Sequence, residues 1–163
     1  MIKRIKIPLP FALSCVAFEK SVGAVVFRVT QKGREFLFMK YRSGHWEFPR
    51  GRAEEGETEL ETMQREIEEE TGLSQLKILP NFRKVIRFSY KAHGHEYDLR
   101  VKNDCCVYVH KKVIFYLVEA LDEDIIISDE HQQFRWLPFE EGYKLLTFSG
   151  AKKVLKAANK YFG

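Results

Sequence analysis

A chain of 163 residues that is 45% hydrophobic and carries a formal net charge of +4 at pH 7 can bury one real core and is too short for two comfortable domains. No stretch approaches the roughly 18 uninterrupted apolar residues of a membrane span. Cys15, Cys105 and Cys106 are odd in number, two of them are adjacent, and no Cys-x-x-Cys occurs, so a disulfide framework is not expected and a reducing compartment is.

The expectation is a single domain over residues 1–163, preceded within it by an N-terminal arm at 1–20. That arm imitates a signal peptide: Met1-Ile-Lys-Arg-Ile-Lys leads into an apolar stretch to Phe18, with Cys15-Val-Ala17 as a cleavage pattern. Pro8 and Pro10 interrupt the stretch and argue against secretion. Ser21–Thr30 and Arg34–Arg42 are rich in aliphatic and aromatic residues and are separated by Gln-Lys-Gly, which predicts a hairpin. Ser43-Gly-His-Trp-Glu-Phe-Pro-Arg-Gly51 then leads to the next element.

Residues 54–70 hold nine acids and one base, leaving 26 bases against 14 acids elsewhere, a balance of +12. Leu60, Met63 and Ile67 recur at i, i+3 and i+7, which predicts a helix over 59–70 with one buried stripe. Glu66, Glu69 and Glu70 then share a neighbouring face, where three like charges repel. A hard divalent cation with oxygen ligands removes that cost, and Mg2+ typically takes one or two carboxylates together with water and substrate phosphates. Gly72 suits a helix end that needs positive φ. Arg65, the one base in the run, has Glu61, four residues away on the helix, as a candidate partner. A solvated acidic helix is the bland reading, and it leaves the flanking glycines and the internal arginine unexplained.

Beyond the helix, Phe82, Lys84, Ile86, Phe88 and Tyr90 alternate with Arg83, Val85, Arg87 and Ser89, as in a strand with bases on both faces. Residues 91–112 are read as an extended hairpin insertion with strands at 95–101 and 105–110. Its histidines, His93, His95 and His110, are scattered and read as surface residues rather than metal ligands. Val113–Glu119 is a nearly apolar run, as for a strand covered on both sides. Phe134–Leu137 is a short last strand, Pro138 or Phe139 opens a helix to Leu146, and Val154, Leu155, Ala158 and Phe162 mark the inner face of a final helix.

The segment from Gly51 to Leu73 reads G-x5-E-x7-R-E-U-x-E-E-x-G-U, with U aliphatic, and every fixed position is filled: Gly51, Glu57, Arg65, Glu66, Ile67, Glu69, Glu70, Gly72 and Leu73. It resembles the box of the Nudix hydrolases. Ser43–Glu57, Val113-Ile-Phe-Tyr-Leu-Val-Glu-Ala120 and Ser128-Asp-Glu-His-Gln-Gln-Phe-Arg-Trp-Leu137 extend the likeness to the animal and archaeal branch of asymmetric diadenosine tetraphosphate hydrolases. The resemblance implies an α/β fold, the Nudix-type α/β/α sandwich on a mixed sheet. It implies metal ligands and catalytic carboxylates at Glu66, Glu69, Glu70 and Glu130, with Gly51 at the metal, and a structural pairing of Arg65 with Glu57. It also implies that His45, Arg50 and Lys111 lie near the phosphate chain and that Tyr90 stacks on an adenine. From spacing alone Glu130 is an exposed loop acid, Tyr90 a core or strand-end tyrosine, and His45 and Lys111 surface residues. Two departures stand out: Arg50 replaces the branch's lysine and Phe115 a common tyrosine.

The expected activity is Mg2+-dependent (or Mn2+-dependent) hydrolysis of a nucleoside polyphosphate, diadenosine tetraphosphate to ATP and AMP, by a cytoplasmic monomer without a membrane or stable nucleic-acid partner. The alternatives are a pyrophosphohydrolase of nucleotide sugars, nucleoside triphosphates or RNA 5′ ends, and a non-enzymatic nucleotide or RNA sensor, against which the three retained carboxylates argue.

Overall fold

The computed structural model describes residues 3–6, 15–122 and 124–163, the first four by their backbone alone. In chain order the elements are β1 (Lys3–Lys6), β2 (Cys15–Thr30), β3 (Gly33–Tyr41), β4 (Trp46–Glu47), β5 (Arg50–Arg52), α1 (Glu59–Thr71), β6 (Leu76–Lys91), α2 (Gly94–Lys102), β7 (Tyr108–Ala120), β8 (His131–Leu137), α3 (Phe139–Leu145) and α4 (Ser149–Tyr161). The strands form one mixed sheet whose main path is β4-β3-β2-β7-β6, with β1 and β5 on β2 and β8 on β3. β2 and β7 run parallel from Val16↔Tyr108 to Phe27↔Glu119, and the other pairs are antiparallel.

Period-two alternation divides β2 and β7 between two cores. Val25, Phe27, Val113, Phe115 and Leu117 join Phe36, Phe38 and Phe48 beneath Ala151, Val154, Leu155 and Ala158 of α4. Val22, Ala24, Val26, Ile114 and Val118 face Met63 and Ile67 of α1 on the opposite side. This is an α/β/α sandwich. Both faces of β7 are covered, as its apolar run predicts.

α1 has closed ends. Thr58 Oγ1 accepts the Glu61 N–H at 3.2 Å while Glu61 Oε2 accepts the Thr58 N–H at 2.7 Å, a reciprocal cap. Gly72 ends the helix at φ +74° and donates to Glu68 O. Leu60 departs from the expected stripe, being 41% exposed. The inner face instead runs through Glu59, Met63, Glu66 and Glu70, and Glu59 meets Lys20, Arg83 and Tyr116.

The insertion also differs from expectation. β6 and β7 are paired out to Lys91↔Tyr108, but residues 95–101, expected as a strand, belong to helix α2. Glu96 and Arg100, four apart, form an ion pair at 2.8 Å, and that helical spacing outweighs the alternating Tyr97, Leu99 and Val101, all exposed. Of the arm, 3–6 form β1 and 15–20 begin β2, so the cleavage-like Cys15-Val-Ala17 is strand; residues 1–2 and 7–14 lie outside the described residues. Cys15 and Cys106, expected to stay apart, are joined in a disulfide across 91 residues. The parallel register of β2 and β7 brings their ends together, a non-local contact that cysteine spacing cannot show.

Gly142 in α3 lies against the Phe38 ring, and a Cβ there would overlap it. In an ordinary helix Gly→Ala stabilises by about 0.5–1 kcal/mol. Here Gly142→Ala should instead destabilise by roughly 1–3 kcal/mol, the cost of overpacking, and lower the melting temperature by several degrees. An unchanged or raised melting temperature would show that Phe38 yields.

Candidate active site

β5 is short, yet it sets the site. It pairs with β2 at Val22↔Gly51 and runs against the buried face of α1. A Cβ on Gly51 would overlap the Glu66 carboxylate, so any larger residue there would push that carboxylate out of its place. The neighbouring Arg50 N–H donates to Glu70 Oε2 at 3.0 Å.

Arg65 ties loop to helix. Its Nε and Nη2 donate to the two oxygens of Glu57 at 2.6 and 3.0 Å, and Nη2 also reaches Arg52 O at 3.1 Å. Nη1 donates to Glu66 Oε1 at 2.8 Å and Glu69 Oε2 at 3.1 Å. Glu61, the other candidate partner, is engaged by the helix cap. The Arg65 hydrogen bonds, with help from the Glu54 N–H, hold the Glu57 carboxyl down at about 2.

Glu66, Glu69, Glu70 and Glu130 line a cavity of about 370 Å³, with Arg50, Gly51 and Lys111 on its walls. Glu130 is exposed, in a turn whose preceding loop is strapped to α1: the Ile126 N–H donates to Thr71 O and the Ser128 N–H to Glu70 O. Burial first, then repulsion from Glu66 and Glu130, pushes Glu70 up to about 8 against the Arg50 hydrogen bond. Burial also raises Glu66, with Arg65 opposing and Glu69 and Glu130 adding to the rise. Burial and the Arg50 charge push Lys111 down to about 8.

A hard cation fits this donor set. The carboxylates are held together at an electrostatic cost, all donors are oxygen, and the cavity has room for water and phosphate. Among the described residues, no three His, Cys, Asp or Glu side chains converge as a ready cation cage; Arg65 holds Glu66 and Glu69 instead. His93, His95 and His110 are likewise not gathered, and His110 contacts Ser89 at 2.9 Å.

Two expected substrate residues stand outside the cavity lining. His45 stacks on Tyr41, with ring centroids 4.6 Å apart, and burial, with the Arg50 charge adding, lowers its pKa. Tyr90 is half-buried beside Ala17, Cys106 and Val109 and donates its hydroxyl to Glu96 at 3.0 Å. Sequence reasoning missed Ser21, Tyr41 and Arg52, which line the cavity. It also missed His131, whose Nε2 is 3.7 Å from Glu70 Oε2. Burial and then His45 hold the His131 ring at about 4, so this contact involves a neutral ring at neutral pH. Strand pairing brings Ser21 and Tyr41 to the site, and nothing local in the sequence marks them.

The chain matches the NUDIX domain family over residues 18–158. It belongs to that family and is a Nudix hydrolase, a pyrophosphohydrolase. It is similar to the asymmetrical bis(5′-nucleosyl)-tetraphosphatases of Rattus norvegicus, 34% identical, and Sus scrofa, 32% identical. Each comparison spans 154 residues and covers 87% of this chain and 94% of the relative. Among solved structures it is similar to a C. elegans Ap4A hydrolase binary complex, with a TM-score of 0.72, 24% identity, and coverage of 88% of this chain and 97% of that one. That structural likeness shows the fold.

The depressed Glu57 carboxyl makes an acid prediction. A carboxylate whose pKa falls from 4.5 to about 2 on folding contributes stability that is present above pH 4.5 and lost as pH falls towards 2. Glu57→Gln should therefore lower the melting temperature at pH 7 and flatten its decline across that window. Parallel melting-temperature profiles for parent and variant between pH 6 and 2 would remove Glu57 from the acid response.

Proposed function

We propose that the protein hydrolyses a dinucleoside polyphosphate, diadenosine tetraphosphate, asymmetrically to ATP and AMP with Mg2+ or Mn2+. The observation that carries this reading is one cavity lined by Glu66, Glu69, Glu70 and Glu130 together with Arg50, Arg52 and Lys111. Four acids and three bases around one space suit a polyanion bridged by a divalent cation. The relatives named as asymmetrical tetraphosphatases support the substrate.

Glu66, Glu69, Glu70 and Glu130 would hold the cation, with the backbone at Gly51 beside them. The bound ion would polarise water and neutralise charge on the phosphate oxygens. The chain's own groups supply the rest. Arg50 presents a planar fork that can hold phosphate bidentately, where a lysine would present a point charge. Lys111 adds a second cation that binds the phosphate chain, and Arg50 is placed to stabilise charge on the leaving oxygens. A carboxylate of the cluster takes the proton of the attacking water, so no covalent enzyme intermediate is needed. The ring of Tyr90, its hydroxyl fixed by Glu96, is our candidate for stacking one adenine and setting the distance to the attacked phosphorus.

In this reading the enzyme acts as a cytoplasmic monomer on a small nucleotide, with no stable nucleic-acid or membrane partner. The compartment rests on the substrate, since the Cys15–Cys106 bond removes the argument from cysteine usage. Among the described residues no helix is long and apolar enough to cross a membrane.

A substrate panel in heavy-oxygen water tests the proposal. Diadenosine tetraphosphate should be the best substrate, ATP and AMP the products, and the label should enter one of them. Two ADP molecules, or much faster turnover of ADP-ribose, nucleoside triphosphates or RNA 5′ ends, would contradict the substrate assignment.

A further inference from the structure

Glu19 is a charged group that the proposed hydrolysis does not use. It lies on β2 with 1% of its side chain exposed, among three cations from three elements. Oε1 accepts hydrogen bonds from Arg52 Nη2 at 2.9 Å and from Arg100 Nη2 at 2.5 Å. Oε2 faces Lys111 Nζ at 3.9 Å and has no hydrogen-bond partner among the described residues. A carboxylate this buried is costly unless paired.

Arg100 is equally committed. It comes from the inserted helix α2, is 9% exposed, and also donates from Nε to Glu96 Oε1 at 2.8 Å and from Nη1 to Cys106 O at 3.2 Å. The Cys105 N–H donates to Arg100 O at 2.7 Å, so the turn after α2 closes on the backbone of the residue whose side chain reaches Glu19. β2 and β7 place Glu19 directly opposite Lys111 in parallel register. A line of charge therefore runs from α2 through Glu19 to a wall of the carboxylate cavity.

We propose that α2 belongs to the substrate site: Arg100 fixes the buried Glu19 carboxylate, and Glu19 holds the Lys111 ammonium in place for the polyphosphate chain. Glu19 and Arg100 are positioning residues and touch no substrate. The charge balance explains the arrangement. One buried anion lets Lys111, Arg52 and Arg100 share a small volume, and the surplus positive charge remains for a phosphate. Without Glu19, Lys111 faces Arg50 and Arg52 unbalanced and is free to swing from the cavity. The inference rests on the proposed polyphosphate substrate.

The test is a double-mutant cycle. Glu19→Gln alone strands the buried Arg100 charge and risks misfolding, so the pair variant Glu19→Gln/Arg100→Gln is used, which removes both charges and keeps hydrogen-bonding groups. With diadenosine tetraphosphate and Mg2+, the pair variant should raise KM about tenfold and leave kcat within about threefold of the parent. Lys111→Met should raise KM comparably, and adding the pair variant to Lys111→Met should change KM by less than about twofold, because the pair acts through Lys111. Arg100→Lys, which keeps a positive charge beside an intact Glu19, should lose less affinity than the pair variant. The same cycle read as the Kd of inorganic tripolyphosphate by calorimetry decides the point whatever the nucleotide preference. Parent-like KM and Kd in a folded pair variant, or effects that multiply with those of Lys111→Met, would overturn the positioning role. A parent that binds tripolyphosphate with the predicted cycle yet does not turn over diadenosine tetraphosphate would overturn only the substrate reading.

Discussion

The guanidinium of Arg65 is the contact on which the site's geometry depends. One planar group receives Glu57 on its forked edge, Glu66 and Glu69 on the other nitrogen, and the Arg52 carbonyl between strand and helix. Its rigid fork satisfies several acceptors from fixed directions, which a lysine cannot do. It thereby sets the position of the loop 53–57 relative to α1 and brings Glu66 up against Gly51. The carboxylates that remain turned into the cavity are the ones this arrangement leaves there.

Charges of both signs meet at the cavity. Glu66, Glu69 and Glu70 of α1 and Glu130 line it together with Arg50 and Arg52 of β5 and Lys111 of β7, and Arg100 of α2 reaches Lys111 through Glu19. Glu70, pushed up to about 8, records first the cost of burying a carboxylate and then the repulsion of Glu66 and Glu130. Lys111, pushed down to about 8, records the matching cost of burying a base among others. Opposed shifts across one cavity suit a ligand carrying both signs, and a cation bound to a polyphosphate is such a ligand.

Much of this was legible locally. The helix over 59–70 and its glycine stop follow from periodicity and composition within one segment, and the Glu57–Arg65 pairing from the resemblance of that segment to the Nudix box. What could not be read depends on strand register or helix placement. Leu60 fits an apolar stripe but lies outward because Glu59 takes the place facing Lys20, Arg83 and Tyr116. Residues 95–101 alternate like a strand, whereas the Glu96–Arg100 pair and the buried guanidinium make them a helix. Cys15 and Cys106, like Glu19 and Lys111, meet only because β2 and β7 are parallel neighbours. Ser21 and Tyr41 reach the cavity for similar non-local reasons.

Manganese titration followed by electron paramagnetic resonance tests most directly whether the carboxylate cavity takes a divalent cation. With a non-hydrolysable dinucleoside tetraphosphate present, the parent should bind Mn2+, and Glu66→Gln/Glu70→Gln should lose that binding while keeping a cooperative thermal transition. Equal Mn2+ affinity in parent and variant, or no bound Mn2+ in the parent complex, would contradict the account.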